Sequence, residues 1–383
     1  MNAFHPVTYV KIDLDALVHN YRLICDAAGG TPVLGVIKAD AYGHGAEQCA
    51  AALYAAGCRF FGVANIGEAV RLRDALGDAT SDILILGYTD PEDAPLLLEK
   101  NLTQTLFSAA YADALAAHLP ARAGLPVHIK LDTGMNRIGF SAHPEDRLKT
   151  CHEIECILQT EKIHASGIFT HFACADCADD RMTAEQAANF SALIDTLASR
   201  GIHFPVRHAA NSAALLRYPQ CRFDMVRAGI ILYGIAPSGD VGLPGLLPVM
   251  SFITHITHLH TVRAGETVGY GASFRAERNM TVATLAVGYA DGYLRAYANG
   301  FVSVHGHHAP LTGRICMDQC MADVTDIPAS SGDPVLLFGR DEENGTLDVN
   351  RLAELSGSIP YETLCLIGKR VPRRFFRNGK ELS

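Results

Sequence analysis

Several features that mark membrane, disordered or nucleic-acid-binding proteins are missing from this sequence. Its 383 residues contain no apolar run of membrane length and no basic segment followed by an apolar stretch at the N-terminus, so we expect neither a membrane anchor nor a signal peptide. The 41 acidic residues outnumber the 32 basic ones, and the net charge of −9 argues against nucleic acid as a partner. Because 49% of the residues are hydrophobic and 19% are charged, we expect a folded, core-forming chain.

Cysteine and glycine patterns of common metal and nucleotide sites are also missing. The eleven cysteines are scattered, which predicts reduced thiols and a cytoplasmic protein. One C-x-x-C motif, Cys174 and Cys177, follows His171 by three residues, but no second pair accompanies it, so we predict no metal site. The chain has neither a P-loop nor a G-x-G-x-x-G motif after a strand.

Strand-like and helix-like segments alternate through the first 240 residues. Helix-like stretches include 46–57, 66–76 and 184–201, and the last ends at Gly201, a typical residue just beyond a helix. Strands that alternate with helices pair in parallel through right-handed crossovers. The strand-like runs are VLGVIK (33–38), FFGVA (60–64), ILILG (83–87), LTQTLF (102–107), VHIKLD (127–132), IHASGIFTHF (163–172), FPVRHA (204–209) and DMVRAGI (224–230). Eight such runs favour an α/β fold, a closed (β/α)8 barrel of the TIM type, with a doubly wound open sheet as the alternative topology.

The composition changes after Pro248. The segments that follow are short, rich in β-formers and separated by Gly, Asn, Asp and Pro, and helix-like sequence returns only at 349–357. We therefore predict a barrel domain over residues 11–240. Residues 1–10 and 241–383 are expected to form a mainly-β domain.

Chemically capable side chains recur where the predicted strands end, which is the catalytic face of such barrels. Lys38 closes the first strand and, if desolvated, can act as nucleophile or base; a lysine that reaches solvent is the alternative. Lys130 lies inside the fifth strand, where its charge needs a partner or a modification unless this layer of the barrel interior is polar and partly solvated. Arg137 lies in the loop that follows the strand. His171 ends the sixth strand, as an acid, a base, an orienting residue or a satisfied core histidine.

The last two predicted strands lead into a candidate anion site. Asn211 and Ser212 resemble the N-cap of a helix, and Arg227 is followed by Gly229 and Ile230. Because loops after strands seven and eight usually bind phosphate in these barrels, we expect Ser212 and the nearby amides to do so. An imine-forming lysine and a phosphate anchor together suggest pyridoxal 5′-phosphate (PLP), with an aspartate or arginine facing the ring nitrogen.

Long motifs in both halves of the chain match one family. They are VIKADAYGHG (36–45), HIKLDTGMNRIGF (128–140), THFACAD (170–176), ANSAAL (210–215), MVRAGIILYG (225–234), VGYGASF (268–274), VGYADGY (287–293), GRICMDQCMADVTD (313–326), YETLC (361–365) and KRVPR (369–373). On these motifs the chain resembles the alanine racemases, PLP-dependent enzymes of fold type III, over nearly its whole length. The resemblance implies interconversion of L-alanine and D-alanine, the latter for peptidoglycan synthesis, in a head-to-tail homodimer.

The resemblance also implies roles for individual residues. Lys38 would hold PLP as an internal aldimine and serve as one base, and Tyr270 of the partner subunit would be the opposite base acting on the external aldimine. His171 would hydrogen-bond this tyrosine, and Arg227 would lie between His171 and the pyridine nitrogen. The residues expected to contact the cofactor are Lys38, Tyr42, His171, Asn211, Ser212, Arg227, Gly229, Ile230 and Tyr361.

Substrate contacts are implied in the same way. Arg137 and the backbone of Met317 would orient the substrate carboxylate. Lys130 matches a position that is carbamylated in some members, where it gives Arg137 an anionic partner. Asp176 and Tyr289 match positions that line the channel through which substrate enters.

Three other functions remain as alternatives. Relatives that prefer serine carry a smaller residue at the position of Tyr361, so this residue favours alanine over a serine or broad-specificity racemase. A non-catalytic PLP-binding barrel would match the N-terminal half only, whereas this chain also has the β-domain with Tyr270 and Met317. An α-decarboxylase of the same fold type would need a different substrate set in the second domain.

Overall fold

The computed structural model describes residues 6–77 and 80–382, which divide into two compact units. The barrel unit consists of Leu17–Ala41 and Ala46–Leu247. The C-terminal unit consists of the described residues up to Ala16, Tyr42–Gly45 and the described residues from Pro248 onwards. The domain boundaries drawn from the sequence, 11–240 against 1–10 with 241–383, stay a prediction.

Eight parallel strands form the sheet of the barrel unit. After β1 (Tyr9–Asp13), which belongs to the C-terminal unit, the chain forms β2 (Val33–Val36), β3 (Phe60–Val63), β4 (Asp82–Ile85), β5 (Thr103–Leu106), β6 (Leu125–Asp132), the short β7 (Phe140–Ser141) beside β6, β8 (Ile163–Phe169), β9 (Val206–His208) and β10 (Val226–Ala228). The sheet runs β10-β2-β3-β4-β5-β6-β8-β9. Backbone bonds from Asp224 N to Arg207 O and from Arg227 N to Ala210 O, both 3.0 Å, join β9 to β10. The predicted eight-stranded barrel is thus confirmed.

Helices connect these strands. They are α1 (Leu14–Ala28), α2 (Lys38–Tyr42), α3 (Ala46–Ala55), α4 (Ile66–Leu76), α5 (Ala94–Glu99), α6 (Ala109–Ala117), α7 (Arg147–Leu158), α8 (Arg181–Ser199) and α9 (Ser212–Arg217). Local sequence sets several of their ends: Asn65 caps α4 by accepting from Glu68 N, and Gly201, at φ +81°, follows α8 as predicted. All four residues of β2 are buried, because helices and barrel interior cover both faces of a parallel strand.

The C-terminal unit is mainly β, as predicted. Its further elements are β11 (Met250–Val262), β12 (Thr267–Val268), β13 (Phe274–Arg275), β14 (Met280–Leu285), β15 (Phe301–Val304), β16 (His307–Pro310), β17 (Cys320–Asp323), β18 (Pro334–Asp341), β19 (Gly345–Leu347), α10 (Asn350–Ser356), α11 (Pro360–Cys365), β20 (Arg373–Arg377) and β21 (Lys380–Glu381). β1 lies between β11, to which it is antiparallel, and β20, to which it is parallel. Among the described helices, none combines the length and the apolarity that a bilayer span requires.

Candidate active site

Lys38 lies at the carboxyl end of β2 and opens a backbone turn of unusual hand. β2 ends at Val36, and α2 begins at Lys38. Residues Ala39, Asp40 and Ala41 have φ of 53–55° and ψ of 48°, and Tyr42 has φ 54°. For residues other than glycine, left-handed helical backbone costs about 1–2 kcal/mol per residue. Such strain persists only where surrounding contacts over-determine it, and it is concentrated at functional sites.

Two carboxylates hold this left-handed turn. Glu68 Oε1 accepts from Ala39 N at 2.8 Å, while Glu68 Oε2 accepts from Ala64 N at the end of β3, also at 2.8 Å. Asp40 Oδ1 accepts from Ala46 N at 2.7 Å and so ties the turn to the start of α3. Glu68 therefore fastens the residue after Lys38 to the neighbouring barrel strand, a role that the sequence analysis did not assign.

The charges of four predicted cationic residues act on His171, and one of them, Arg227, is hydrogen-bonded to it. Burial lowers the pKa of His171 well below its usual value, and the charges of Arg227, Arg137, Lys130 and Lys38, in decreasing order, lower it further. His171 is consequently neutral at pH 7. The barrel mouth presents an excess of positive charge, which suits an anionic ligand.

Arg227 is hydrogen-bonded to two histidines and two backbone carbonyls, and only 3% of its surface is exposed. Its Nη1 donates to His208 Nδ1 at 2.9 Å, and its Nη2 donates to His171 Nδ1 at 3.0 Å. Nη2 also donates to the carbonyl oxygens of Thr170 and Ala209, both at 2.8 Å. Burial lowers the pKa of Arg227 to about 9, so the guanidinium stays protonated at pH 7. These four acceptors fix its plane.

The hydrogen bonds of Arg227 determine which nitrogens of three histidines carry protons. A guanidinium only donates, so Nδ1 of His208 and Nδ1 of His171 are acceptors and the Nε2 atoms carry the hydrogens. His208 Nε2 then donates to His128 Nδ1 at 2.8 Å. Burial, followed by the charge of Arg227, lowers the pKa of His128 to about 4 and that of His208 well below its usual value. The three imidazoles are neutral, each with its proton on Nε2.

His128 was not predicted as part of the site, although one signal was available. It precedes Lys130 by two residues on β6, and residues two apart on a strand share a face. Two polar residues on one face of an otherwise apolar barrel strand indicate a polar network inside the barrel. Of the two, only Lys130 was predicted from the sequence as a site residue.

A β-bulge and a glycine provide the space for the His128 ring. Between β6 and β8 the register shifts, so that Val127 faces Ala165 while His128 faces Gly167, and Ser166 is the extra residue. A Cβ atom on Gly167 would lie 2.6 Å from His128 Nε2 and 2.7 Å from two ring carbons. Only glycine therefore leaves the ring where His208 can reach it.

Lys130 is buried rather than solvated, with 4% of its surface exposed. Its Nζ donates to Leu131 O at 2.6 Å and lies 5.4 Å from the centre of the Phe169 ring. Burial and then the charge of Arg227 lower the pKa of Lys130 to about 7, against the opposing effect of Asp132. A substantial fraction of this amine is uncharged at neutral pH.

The predicted phosphate-binding residues meet at the start of α9. Asn211 caps this helix, as predicted, by accepting from Ala214 N at 2.9 Å. Ser212 Oγ accepts from Gly229 N at 2.9 Å, and Gly229 leads into a short 3-10 turn that begins at Ile230. The Ser212 hydroxyl and the Gly229 amide thus meet from two neighbouring loops.

In the C-terminal unit, Tyr42 and Tyr361 lie side by side, with ring centroids 6.0 Å apart. Burial, and then Tyr361, raise the pKa of Tyr42, so its phenol is a hydrogen-bond donor at pH 7. Gly43, at φ +82°, packs tightly against α11: a Cβ at this position would lie only 2.7 Å from Leu364 O, which leaves no room for a side chain. Arg373 Nε donates to Gly43 O at 3.1 Å and holds this segment.

Tyr270 projects from a tight turn and is 73% exposed. The flanking Gly269 and Gly271 have φ of +76° and +71°. A Cβ on Gly271 would lie 3.1 Å from Arg314 Nη1, so the Gly-Tyr-Gly turn packs closely on the residues behind it. The sequence around Tyr270 therefore directs this side chain outward from its own unit.

The predicted substrate-contacting loop of the C-terminal unit is joined to the loop of Tyr289. Tyr289 N donates to Cys316 O, and Ala290 N donates to Met317 O, each at 3.0 Å. A Cβ on Gly288 would lie 2.3 Å from Met317 O, so glycine is required for this close approach. The structure thereby brings Met317 and Tyr289 together. Asp176 is exposed on the loop after β8 of the barrel unit.

Both units match established sequence families. The family described as "Alanine racemase, N-terminal domain" matches residues 12–237, and "Alanine racemase, C-terminal domain" matches residues 249–375. The alanine racemase of Desulfovibrio desulfuricans is 43% identical over 379 residues, covering 97% of this chain and 99% of that protein.

Solved structures agree. The alanine racemase of Clostridium difficile 630 superposes with a TM-score of 0.92 at 36% identity, covering 100% of this chain and 98% of the other. The alanine racemase of Bacillus anthracis, solved with bound L-Ala-P, superposes with a TM-score of 0.91 at 34% identity and the same coverage. With both domain families matched in order over nearly its full length, the chain belongs to the alanine racemase family.

Proposed function

We propose that this chain interconverts L-alanine and D-alanine with PLP held on Lys38, and that it does so as a homodimer with shared sites. The observation that carries the proposal is that Arg227 is hydrogen-bonded to a neutral His171, on which the charges of Lys38, Lys130 and Arg137 also act. This arrangement supplies an amine for the cofactor aldehyde and positive charge for the phosphate and for a substrate carboxylate.

The donor set fits PLP. The amine of Lys38 suits the aldehyde, and Ser212 with the amides of Gly229 and Ile230 suits the phosphate, with Asn211 holding the helix start. When bound, PLP accepts the electron pair that remains on the α-carbon as its proton departs. Arg227 donates a hydrogen bond without giving up its proton, so it would face the ring nitrogen without protonating it.

Two bases on opposite faces of the cofactor account for racemisation. Lys38 removes or returns the α-proton on one face, and the partner's Tyr270 does so on the other. The exposure of Tyr270 in the single chain supports its delivery to a second copy, as does the exposure of Tyr289, Met317 and Leu366 in the same unit. His171, with its proton on Nε2, can donate to the phenolic oxygen of the partner's Tyr270 and orient it.

Arg137 and the Met317 backbone would bind the substrate carboxylate. The partly uncharged Lys130 can react with carbon dioxide: a nitrogen–carbon bond forms, one proton is released, and the resulting carbamate anion faces Arg137. An intact mass measured in bicarbonate under gentle conditions, compared with Lys130→Met, tests this modification. An unchanged mass in both samples would contradict it.

Tyr42 and Tyr361 would hold the phosphate with their phenols, and Tyr361 would limit the pocket to alanine rather than serine. Asp176 and Tyr289 would line the channel for the incoming substrate. All eleven cysteines are free thiols, which supports the cytoplasm as the location. There the product D-alanine would supply peptidoglycan synthesis.

Purified protein tests the proposal directly. We expect cofactor absorbance, loss of activity after borohydride reduction, attachment of the reduced cofactor at Lys38, and chiral conversion of alanine in preference to serine. A colourless protein that PLP cannot reconstitute would overturn the proposal.

Subunit mixing tests the shared site. Lys38→Ala and Tyr270→Phe chains should each be inactive, while equal mixing after mild dissociation should restore about one quarter of wild-type activity, since half of the dimers are mixed and hold one intact site of two. Activity that stays at the level of either parent would rule out a site built from two chains.

A further inference from the structure

Three sulfur-containing side chains that have no assigned role in racemisation lie on the loop after β8 and at the start of α8. Cys174 Sγ lies 3.6 Å from Met182 Sδ in the first turn of α8. Cys177 follows three residues later: the backbone bond from Cys177 N to Cys174 O, 3.0 Å, closes the turn between them, and Cys174 raises the pKa of the Cys177 thiol. Cys174 therefore contacts Met182 through its sulfur and is joined to Cys177 by a single backbone turn.

The loop that carries this group is held by side chains from other elements. Arg217, the last residue of α9, donates from Nη1 to Ala175 O at 3.1 Å and also to Cys177 O. Ser238 Oγ donates to Asp176 O at 3.3 Å. The carbonyls between the two cysteines are thus engaged, so the backbone that carries both thiols is fixed before any ligand binds.

The chemistry of the three donors selects a class of ion. Thiolate and thioether sulfur are soft ligands that favour Cu(I)-like ions, whereas zinc takes four N, O or thiolate ligands. Among residues 6–77 and 80–382, no group of three or more His, Cys, Asp or Glu side chains is arranged to hold a metal. With metal–sulfur bonds of about 2.3 Å, sulfurs in a trigonal site lie about 4 Å apart, close to the spacing of Cys174 and Met182.

We propose that Cys174, Cys177 and Met182 form a three-sulfur site for a soft monovalent cation of the Cu(I) and Ag(I) class. Binding forms two metal–thiolate bonds and one metal–thioether bond, and the two thiol protons pass to solvent. The exposure of Cys177 and Met182 gives an incoming ion access. This site differs from the zinc site that the sequence analysis rejected, because its third ligand is a methionine 8 residues beyond Cys174.

Anaerobic titration of the purified holoenzyme with Cu(I), in competition with the chromophoric chelator bicinchoninate, tests the site. We expect one tightly bound ion per chain, with affinity reduced about 100-fold in Cys174→Ser and Cys177→Ser and about tenfold in Met182→Leu. Cys156→Ser, which removes another exposed cysteine, is the matched control and should bind like the wild type. X-ray absorption should show three sulfur neighbours in the wild type and two in Met182→Leu.

Two outcomes would overturn the proposal. One is wild-type affinity in both cysteine variants, which would place the ion elsewhere. The other is wild-type affinity and an unchanged sulfur count in Met182→Leu, which would reduce the site to a plain dithiol. Thermal melting of each variant checks that the fold is retained. The titration measures metal rather than racemisation, so its result is independent of the function proposed above.

Discussion

Replacing Gly167 with alanine tests whether the space that Gly167 leaves for the His128 ring is needed to keep His208 oriented toward Arg227. The new Cβ would lie 2.6 Å from His128 Nε2, whereas ordinary contact begins at 3.4 Å, so the ring must retreat by about 0.8 Å. The backbone of Gly167 is outside the left-handed region, so alanine adds no strain there. The overlap with His128 is the whole perturbation.

The retreat of the ring breaks the 2.8 Å bond between His128 Nδ1 and His208 Nε2. A buried donor without its partner costs about 1–3 kcal/mol, and overpacking costs about another 1–3 kcal/mol. We therefore expect the free energy of unfolding to fall by roughly 2–6 kcal/mol. His208, no longer fixed, loses its orientation toward Arg227, so PLP affinity should fall and transamination should rise relative to racemisation.

Urea denaturation of Gly167→Ala gives the stability change, and 15N NMR of the imidazoles in the apoprotein reports which nitrogen of His208 is protonated. Gly62→Ala is the matched control, because its Cβ would meet the flexible Leu34 Cδ2 at 2.8 Å in the same barrel. This control should lose stability while His208 keeps its proton on Nε2. In the double variant with His128→Ala, the two stability losses should fall short of additivity by more than 1 kcal/mol. Additive losses, or an unchanged His208 spectrum in Gly167→Ala, would refute the reasoning.

Three further substitutions probe the site. Lys130→Met should stabilise the unmodified protein at pH 7, because the pKa of Lys130 in the folded state, about 7, lies below the ordinary value of 10.5. The unfolded state therefore binds more protons between these two pH values, and the stability of the wild type should rise with pH across that window by up to about 5 kcal/mol. Urea titrations that show no such slope, or the same slope in Lys130→Met, would contradict this. Glu68→Ala releases the left-handed turn after Lys38 and should weaken PLP binding to the apoprotein at least about tenfold, as measured by fluorescence titration. Replacing the exposed Glu47 with alanine is the control and should leave the affinity for PLP unchanged. Equal affinities in the two variants would show that the turn is stable without Glu68. Gly43→Ala should lower the free energy of unfolding, measured by urea denaturation, by about 3 kcal/mol or more, because both backbone strain and the close approach to α11 oppose a side chain there. In the control, Gly57→Ala, φ is also positive but the space is open, so the loss should be only about 1 kcal/mol. Equal losses in the two variants would exclude the packing argument.

The architecture could be predicted because it follows from local patterns. Eight apolar runs spaced by helix-forming stretches leave few topologies, and each run became a parallel strand of the barrel. The helix ends followed local chemistry as well: Asn211 caps α9 with its own side chain, and Gly201 adopts positive φ after α8. In each case the residue and its partner are close in the chain.

The features that escaped prediction depend on partners distant in the chain. Ala39 and Ala41 carry no sequence signal for left-handed backbone, and the carboxylate of Glu68, 29 residues from Ala39, holds the first of them. His128 gains its role from His208, 80 residues away, and from a register shift that sequence periodicity does not reveal. Yet a buried polar side chain must find a partner, so a histidine and a lysine on one face of an apolar barrel strand already require a hydrogen-bond network. That requirement, applied to every polar residue in the predicted barrel strands, would have identified His128 before its partner was known.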